Sequence, residues 1–307
     1  MVAADDVEAL RPLLFSIAYR MLGSVADAQD AVQETFLHYY RAAAEGAEVR
    51  SPKAYLSAIV TRLAIDQLRS ARKQRETYVG EWLPEPLLTD DANDPVASVE
   101  EFETVSMAFL LILERLNPVE RAVFLLHDVF GYAYDEIAAI VGKSEANCRQ
   151  IALRARRHVE AERPRYTPSR RDRDELAARF FAAVRNGNVD GLVRLLAADV
   201  VVTGDGGGKV PQWATPIVGA ERVAQLFAGL GRLMQNLGIS LELHHINGGP
   251  GAISRDANGR VINVFALEIA DGAIRAIHSV INPDKLRHLG PVADIPTLLQ
   301  ERRAARG

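Results

Sequence analysis

The sequence predicts two all-α helical modules followed by an α+β domain, and three observations support this fold class. Apolar residues recur with a helical period from about residue 7 to residue 163. An acidic stretch with several prolines at residues 76–97 interrupts that pattern and divides the helices into two groups. After residue 172 the chain changes to short β-type runs separated by glycines. The 307 residues have room for two or three domains.

The first module is predicted to contain three helices. Apolar positions repeat from Val7 to Leu22, where Gly23 stops the pattern, and again over residues 28–39. A third helix opens at Pro52, because proline is favoured in the first turn of a helix. It ends in a basic run that reaches residue 75.

The second module is predicted to contain four helices, over residues 99–116, 119–129, 134–141 and 145–163. The last two have helix-turn-helix proportions, with Gly142 in the turn and Ser144 as the N-cap of the second helix. Such a helix places its N-terminal side chains at base edges in the major groove. The alternative is a solvated basic face on an ordinary helical hairpin.

Candidate DNA contacts on that last helix follow from side-chain chemistry. Asparagine and glutamine pair with adenine and arginine pairs with guanine, whereas further arginines suit phosphates. The base-reading candidates are Asn147, Arg149 and Gln150, and the phosphate candidates are Arg154, Arg156 and Arg157. Cys148 lies on the same helix, where a small packing residue is the favoured interpretation and an oxidation sensor the alternative.

Charge is sorted along the chain, although the net charge of −4 gives no global sign of nucleic-acid binding. Five basic residues fall in 62–75 and six in 149–165, while nine acidic residues and no basic one fall in 76–103. A single cysteine excludes an internal disulfide and a multi-cysteine metal site, and we expect no metal or cofactor. The first eight residues lack a secretory signal and no apolar run is long enough for a membrane span, so a cytoplasmic protein is expected.

The C-terminal third is predicted to form an α+β domain. Helices are expected over residues 174–186, 189–196 and 221–235. Strands, taken as antiparallel, are expected over residues 200–203, 239–246, 261–269 and 273–281.

Both helical modules resemble the extracytoplasmic-function (ECF) sigma factors of RNA polymerase. The resemblance covers about residues 7–160 and rests on segments 27–37, 52–69 and 116–121 together with the helix-turn-helix. It implies a chain that binds core RNA polymerase and directs it to promoters. The implied organisation is a region 2 domain (1–76), an acidic linker (77–98), a region 4 domain (99–165), a regulatory domain (170–290) and a C-terminal tail (291–307).

The resemblance also implies roles for particular residues. Polymerase docking would fall to Asp27, Asp30, Glu34, Phe36 and Leu37. The melted −10 strand would be held by Lys53, Tyr55, Arg62, Asp66, Arg69, Arg72 and Lys73, and the helix-turn-helix would read the −35 duplex. Alternatively, Phe36 belongs to the core, the acidic residues are simply solvated, and Tyr55 and Asp66 are structural.

The C-terminal region resembles the SnoaL-like cone fold, and three short stretches resemble an ECF subgroup that carries this extension. We expect these stretches to make regulatory interdomain contacts, either with the first helical module or with the linker. They comprise Trp82, Leu83 and Pro84; Asp205, Gly206, Gly207, Gly208 and Lys209; and Asn282, Pro283, Asp284, Lys285 and Leu286. A plain hairpin loop and a phosphate nest are the alternatives for the glycine run.

Other functions stay open at this stage. A ligand-responsive helix-turn-helix regulator would leave segments 27–37 and 52–75 unexplained. An isomerase or cyclase fused to a DNA-binding module would draw on Glu242, His244, His245, Glu268 and His278. An unknown apolar ligand in the cone is a further alternative, and we predict a protein without catalytic activity.

Overall fold

The computed structural model describes residues 7–75, 78–89, 105–162, 168–213 and 215–295, with the side chains of 71–75 and 162 left undescribed. These residues form two compact units. The helical unit contains both helical modules, residues 7–75 and 105–162. The second unit combines the linker segment, defined as residues 78–89, with the C-terminal domain. The remainder of the predicted acidic linker and the tail beyond residue 295 lie outside the described residues.

The first helical module consists of α1 (Arg11–Leu22), α2 (Val25–Ala44) and α3 (Pro52–Arg75). Gly23 ends α1, and Ser24 caps α2 by accepting a hydrogen bond from the amide of Asp27 (3.1 Å). The three helices pack around fully buried apolar side chains from each of them: Leu14, Ile17, Met21, Ala28, Leu56 and Val60. The predicted three-helix module is confirmed.

The second helical module consists of α4 (Met107–Glu114), α5 (Pro118–Phe124), a π-helical turn (Leu125–Val129), α6 (Tyr134–Val141) and α7 (Glu145–Glu162). Asn117 and Glu120 form a capping box at the start of α5. Gly142 takes a left-handed conformation (φ 67°) in the turn between α6 and α7, which a residue with a Cβ adopts only with strain.

The C-terminal domain places three helices against one six-stranded sheet. The helices are α8 (Arg170–Arg185), α9 (Val189–Val193) and α10 (Ala220–Leu237). The strands are β1 (Leu196–Asp205), β2 (Ile217–Val218), β3 (Ser240–Ile246), β4 (Gly249–Arg255), β5 (Val261–Ala270) and β6 (Ala273–Val280), in the order β2-β1-β6-β5-β4-β3. Buried aromatic rings fill the space between helices and sheet, with centroids 5.2–5.6 Å apart: Phe180, Phe181, Phe227 and Phe265.

The sheet differs from the prediction in four ways, of which the first is that the two-residue strand β2 was not predicted. β4 was not predicted, because Gly249, Pro250 and Gly251 disfavour a strand and only pairing with β3 and β5 makes it one. β1 begins at Leu196 instead of residue 200, and α9 ends at Val193, before the end of the predicted helix at residue 196. The expectation of a purely antiparallel sheet is wrong, since β1 pairs with β6 in parallel. The carboxyl ends of β1 and β6 therefore lie side by side.

Within the part of the chain that the structure describes, no helix is long and apolar enough to cross a membrane. The same residues bring together no group of three or more histidine, cysteine or acidic side chains that would suit a metal ion.

Candidate functional site

Helix α7 separates an exposed polar face from a buried one. Asn147, Arg149, Gln150, Arg154 and Arg157 are exposed. The opposite face packs into the module through buried small and apolar side chains: Cys148, Ile151, Ala152, Ala155 and Val159. The predicted base-reading residues thus share one accessible surface. Burial raises the pKa of the Cys148 thiol, which matches a packing role.

Arg156 differs from its neighbours on α7 because it is bound within the module. Its guanidinium is paired with the carboxylate of Asp128 in the π-helical turn, with Nε 2.8 Å from Oδ1. This hydrogen-bonded charge pair raises the pKa of Arg156 further above its ordinary value. Arg156 holds α7 against the π-helical turn, a contact that the sequence pattern did not indicate.

The α3 residues predicted to bind the melted strand are spread along one helix. Lys53 is exposed, with its ammonium 5.6 Å from the centre of the Tyr132 ring. Half-buried Tyr55 meets the ring of Tyr39 edge to face at 6.3 Å. The two remaining surface candidates, Asp66 and Arg69, form an ion pair at 3.0 Å. The side chains of Arg72 and Lys73 lie outside the described residues.

Arg62 is the α3 candidate whose position the sequence did not predict. Its Nε donates to the carbonyl oxygen of Ile140 (2.9 Å), and its Nη2 donates to that of Ala139 (2.8 Å). Both carbonyls belong to the last turn of α6, the first helix of the helix-turn-helix. Carbonyls in a last helical turn have no partner within the helix and carry partial negative charge, so a guanidinium suits them.

Two buried polar contacts join the modules as well. Arg121, fully buried, donates from Nε to the carbonyl of Leu113 (2.9 Å), from Nη2 to Glu114 (2.7 Å) and from Nη1 to the carbonyl of Met21. Met21 belongs to the first module and the other three residues belong to the second. Loss of these acceptors would leave the Arg121 cation buried and unpaired, which would strongly destabilise the closed arrangement of the two modules.

The second buried contact is a hydroxyl pair. The Tyr132 hydroxyl donates to Ser57 Oγ at 2.6 Å, across the boundary between α3 and the loop before α6. Burial raises the pKa of this phenol. Together with the contacts of Arg62 and Arg121, this hydrogen bond holds the two helical modules against each other.

The α2 candidates divide into exposed and buried sets. Asp30, Glu34 and Leu37 line a surface groove of about 370 Å³, and Leu37 is 49% exposed. Phe36 is buried at 4% exposure and lies under the guanidinium of Arg11, 4.6 Å from the ring centre. Asp27 is half-buried in the first turn of α2. The groove also includes Gln33, His38 and Arg41, which the sequence did not single out.

The linker segment is bound to the C-terminal domain around one carboxylate. Asp205, at the end of β1, is fully buried and forms an ion pair with Lys285 at 2.7 Å. It also accepts hydrogen bonds from the Tyr78 hydroxyl (2.5 Å), the Leu83 amide (2.9 Å) and the Gly207 amide (3.0 Å). Two of these four donors come from the linker segment, so we call the arrangement the linker clamp.

Lys285 completes the clamp from the short 3₁₀ turn that follows β6. Its side chain is 9% exposed, and its ammonium also donates to the carbonyl of Leu83. The same ammonium lies 4.3 Å from the centre of the Trp82 ring and 5.2 Å from that of Tyr78. One lysine therefore contacts three residues of the linker segment, through charge, hydrogen bonding and ring faces.

Tyr78 and Asn282 extend the clamp. The Asn282 amide donates to the Tyr78 hydroxyl at 3.0 Å. The pKa of Tyr78 is raised above its ordinary value, first by burial and then by its hydrogen bond to the Asp205 carboxylate. The phenol thus stays protonated while the segment is docked.

The glycine run allows the close approach that the clamp needs. Gly207 has a left-handed φ of 61°, and a Cβ there would lie 2.3 Å from the side-chain nitrogen of Asn282. Beyond the run, Lys209 and Asp284 form an ion pair at the surface, where both side chains are about half exposed. The run of glycines and residues 282–286 therefore meet each other as well as the linker segment. Pro84 and Leu286 are both buried, and Pro283 begins a short 3₁₀ turn.

The far end of the linker segment joins the sheet. Leu88 forms a β-bridge with Ile246 at the end of β3. The Thr89 amide donates to the carbonyl of His245 (3.0 Å), and the Asn247 amide donates to that of Leu87 (2.8 Å). The linker segment thus adds a single antiparallel bridge to β3, an edge strand of the sheet.

The residues considered for an enzymatic site meet in pairs, among them Glu242 and His244 of β3, which lie 3.7 Å apart. His245 pairs with Asp174 of α8 at 2.9 Å. His244 and His245 project to opposite faces of the sheet because they are adjacent in β3. His278 and Glu268 pair with each other across β6 and β5, and Glu242 pairs with Arg255 at 3.0 Å on the surface.

Comparison with known proteins identifies both helical modules. Residues 7–74 match the family model for sigma-70 region 2, and residues 106–159 match that for sigma-70 region 4. The chain is 39% identical over 294 residues to the ECF RNA polymerase sigma factor SigJ of Mycobacterium tuberculosis, covering 92% of each chain. It is 31% identical to the probable ECF RNA polymerase sigma factor SigI of the same species, covering 90% of this chain and 92% of SigI.

The fold agrees with a solved relative along nearly the whole chain. A crystal structure of M. tuberculosis SigJ superposes with a TM-score of 0.74 at 36% identity, covering 93% of this chain and 98% of SigJ. The predicted fold class, two helical sigma domains followed by an α+β domain, is confirmed. The chain therefore belongs to the ECF sigma factors, which act in transcription initiation and are not enzymes.

Proposed function

We propose that this sigma factor reads its promoter with two separate surfaces and docks on polymerase with a third. The exposed face of α7 would read the −35 duplex, and α3 would hold the melted −10 strand. The groove lined by Asp30, Glu34 and Leu37 would receive a basic, partly apolar surface of core RNA polymerase, because it combines carboxylates with an exposed leucine. The boundaries predicted for the domains are part of this proposal.

The helical unit would have to open before it binds a promoter. Arg62, a candidate for the −10 strand, is occupied by the carbonyls of Ala139 and Ile140. The contacts of Arg121 and Tyr132 hold the same two modules together. Reading both promoter elements at once requires the modules to separate, and a stability difference of about 3 kcal/mol already keeps the open form a minor population.

The C-terminal domain would regulate that opening through the linker clamp. The single observation that carries this proposal is the buried Asp205 carboxylate, which binds Tyr78, the Leu83 amide and Lys285 together. The linker segment is the chain that connects the helical modules, so a docked segment restricts the distance they can move apart. Release of the segment would remove that restriction.

Run-off transcription with core polymerase tests this regulation. Lys285→Met removes the clamp cation and keeps an unbranched side chain that is one atom shorter, and we expect transcript to appear at lower sigma concentrations than with the native chain. Arg275→Met is the matched control, since Arg275 forms exposed ion pairs with Asp199 and Asp271 in the same domain. Equal activity of all three proteins would contradict the regulatory role.

An apolar ligand is not part of the proposal. Phe180, Phe227 and Phe265 occupy the interior between helices and sheet, each at 1% exposure or less. A ligand there would have to displace these rings.

A further inference from the structure

A short stack of side chains beside the helix-turn-helix surface leads to a residue that the sequence analysis did not select. The rings of His127 and Tyr134 stack with their centres 4.0 Å apart and their planes 29° apart. The guanidinium carbon of Arg149 lies 5.5 Å from the centre of the same Tyr134 ring. One tyrosine thus lies between the π-helical turn and the first turns of α7.

The lower part of this stack is fixed by the module. His127 belongs to the π-helical turn, and its Nδ1 is 3.0 Å from the carbonyl oxygen of Tyr132, which assigns the proton to Nδ1. Tyr134 opens α6, where the side chain of Glu136 accepts from the Ala133 amide at 2.9 Å. The hydrogen bond to the Tyr132 carbonyl orients the His127 ring, and the capping contact holds Tyr134 in the first turn of α6.

Arg149 forms the solvent-exposed end of this stack. Without the ring and a neighbouring carboxylate, its long side chain would sample many rotamers. Arg149 is 63% exposed, and it pairs with Glu145 one turn earlier on α7. A guanidinium that stacks on a ring uses its face and keeps its N–H edge for hydrogen bonds in the same plane. The ring and the carboxylate together restrict Arg149, whose side chain is nevertheless accessible.

We propose that Tyr134 is a positioning residue for promoter recognition, which orders Arg149 so that its guanidinium edge reads a guanine in the −35 duplex. This inference rests on the proposed role of α7. Ordering the arginine beforehand reduces the entropy lost when it meets the base. An exposed cation–ring contact corresponds to about a two- to five-fold effect on discrimination.

The test measures base preference rather than activity alone. The full-length protein and core polymerase transcribe a promoter library with a randomised −35 region, in which each promoter is linked to a known barcode downstream of the start site, and the barcodes in the transcripts are counted. Arg149→Ala should remove the preference at one position. Tyr134→Leu should weaken the preference at that same position by about two- to five-fold, whereas Tyr134→Phe, which keeps the ring, should retain it.

A double variant separates positioning from general structural damage. Arg149→Ala combined with Tyr134→Leu should match Arg149→Ala alone, because Tyr134 acts only through Arg149. Tyr134→Met is the second variant if the leucine form folds poorly. As an independent readout, the NMR signals of the Arg149 side chain should lose their ring-current shift in Tyr134→Leu and keep it in Tyr134→Phe.

The outcomes distinguish the two claims. If Arg149→Ala leaves every base preference unchanged, the proposed role of α7 fails and the positioning role fails with it. If Arg149→Ala alters one position and Tyr134→Leu alters none, only the positioning role is overturned. Added loss in the double variant would likewise contradict action through Arg149.

Discussion

Removal of the clamp cation should release the near end of the linker segment without unfolding the C-terminal domain. In Lys285→Met, the Asp205 carboxylate keeps three hydrogen-bond donors but loses the charge that neutralises it in a fully buried site. Breaking a buried ion pair by removing one partner costs about 3–5 kcal/mol. The three remaining donors favour the lower end, about 3 kcal/mol, which is about a 100-fold change in the opening equilibrium.

Hydrogen exchange at individual amides measures that change. The Leu83 amide donates to Asp205 and should exchange about 100-fold faster in Lys285→Met. The Thr89 amide donates to His245 at the far end of the segment and should change less. Amides of β5 and β6 should stay protected, which shows that the domain remains folded.

The control removes a cation whose ion pairs are exposed. Arg275→Met should accelerate exchange of the Leu83 amide by less than about five-fold, since exposed pairs contribute about 0–1 kcal/mol. Unchanged protection of Leu83 in Lys285→Met would refute the reasoning that the ion pair holds the segment. If Leu83 exchange accelerated equally in Lys285→Met and Arg275→Met, the effect would not be specific to the clamp ion pair.

Three further outcomes are expected. Gly207→Ala should destabilise the clamp more than Gly259→Ala destabilises its loop, as judged by thermal unfolding, because both have left-handed φ but only the first Cβ would clash; equal losses would argue against the close approach. In a double-mutant cycle, Tyr132→Phe and Ser57→Ala should show a coupling of about 0.5–1.5 kcal/mol in the free energy that separates the closed and open forms of the helical unit. Spectroscopic labels in the two modules report the populations of these forms through the distance between the labels, and zero coupling would show that this hydrogen bond does not stabilise the closed form. Docking favours the protonated phenol of Tyr78, because the docked segment raises the pKa of that group. The contribution of Tyr78 to docking is therefore complete below the ordinary phenol pKa of about 10 and is lost as pH rises through the higher docked value. Ultraviolet titration of the native chain against Tyr78→Phe measures this pKa, and ionisation of Tyr78 at the ordinary value would contradict the buried contact.

Local sequence signals located most of the helix ends, although α9 ends at Val193 instead of residue 196. The Asn117–Glu120 capping box and the glycine turn at residue 142 mark helix ends by hydrogen bonding and backbone conformation within a few residues. The exposed face of α7 could be predicted for the same reason, because helical periodicity separates Cys148 from its exposed neighbours.

Contacts between distant segments could not be predicted in this way. β4 is a strand because of its neighbours, and its own glycines and proline argue against that state. Arg62 carries the same charge whether it faces DNA or the carbonyls 77 and 78 residues further along the chain. Tyr78, which precedes the motif selected in the linker, was missed because its partner Asp205 is 127 residues away.

The parallel pairing of β1 with β6 has a consequence for protein synthesis. Asp205 and Lys285 become neighbours only when the last strand of the sheet has been added beside the first. Domains generally fold in order as the chain leaves the ribosome. Both helical modules are therefore synthesised, and free to fold, well before the linker clamp can form, so the linker segment of every newly made molecule is at first undocked.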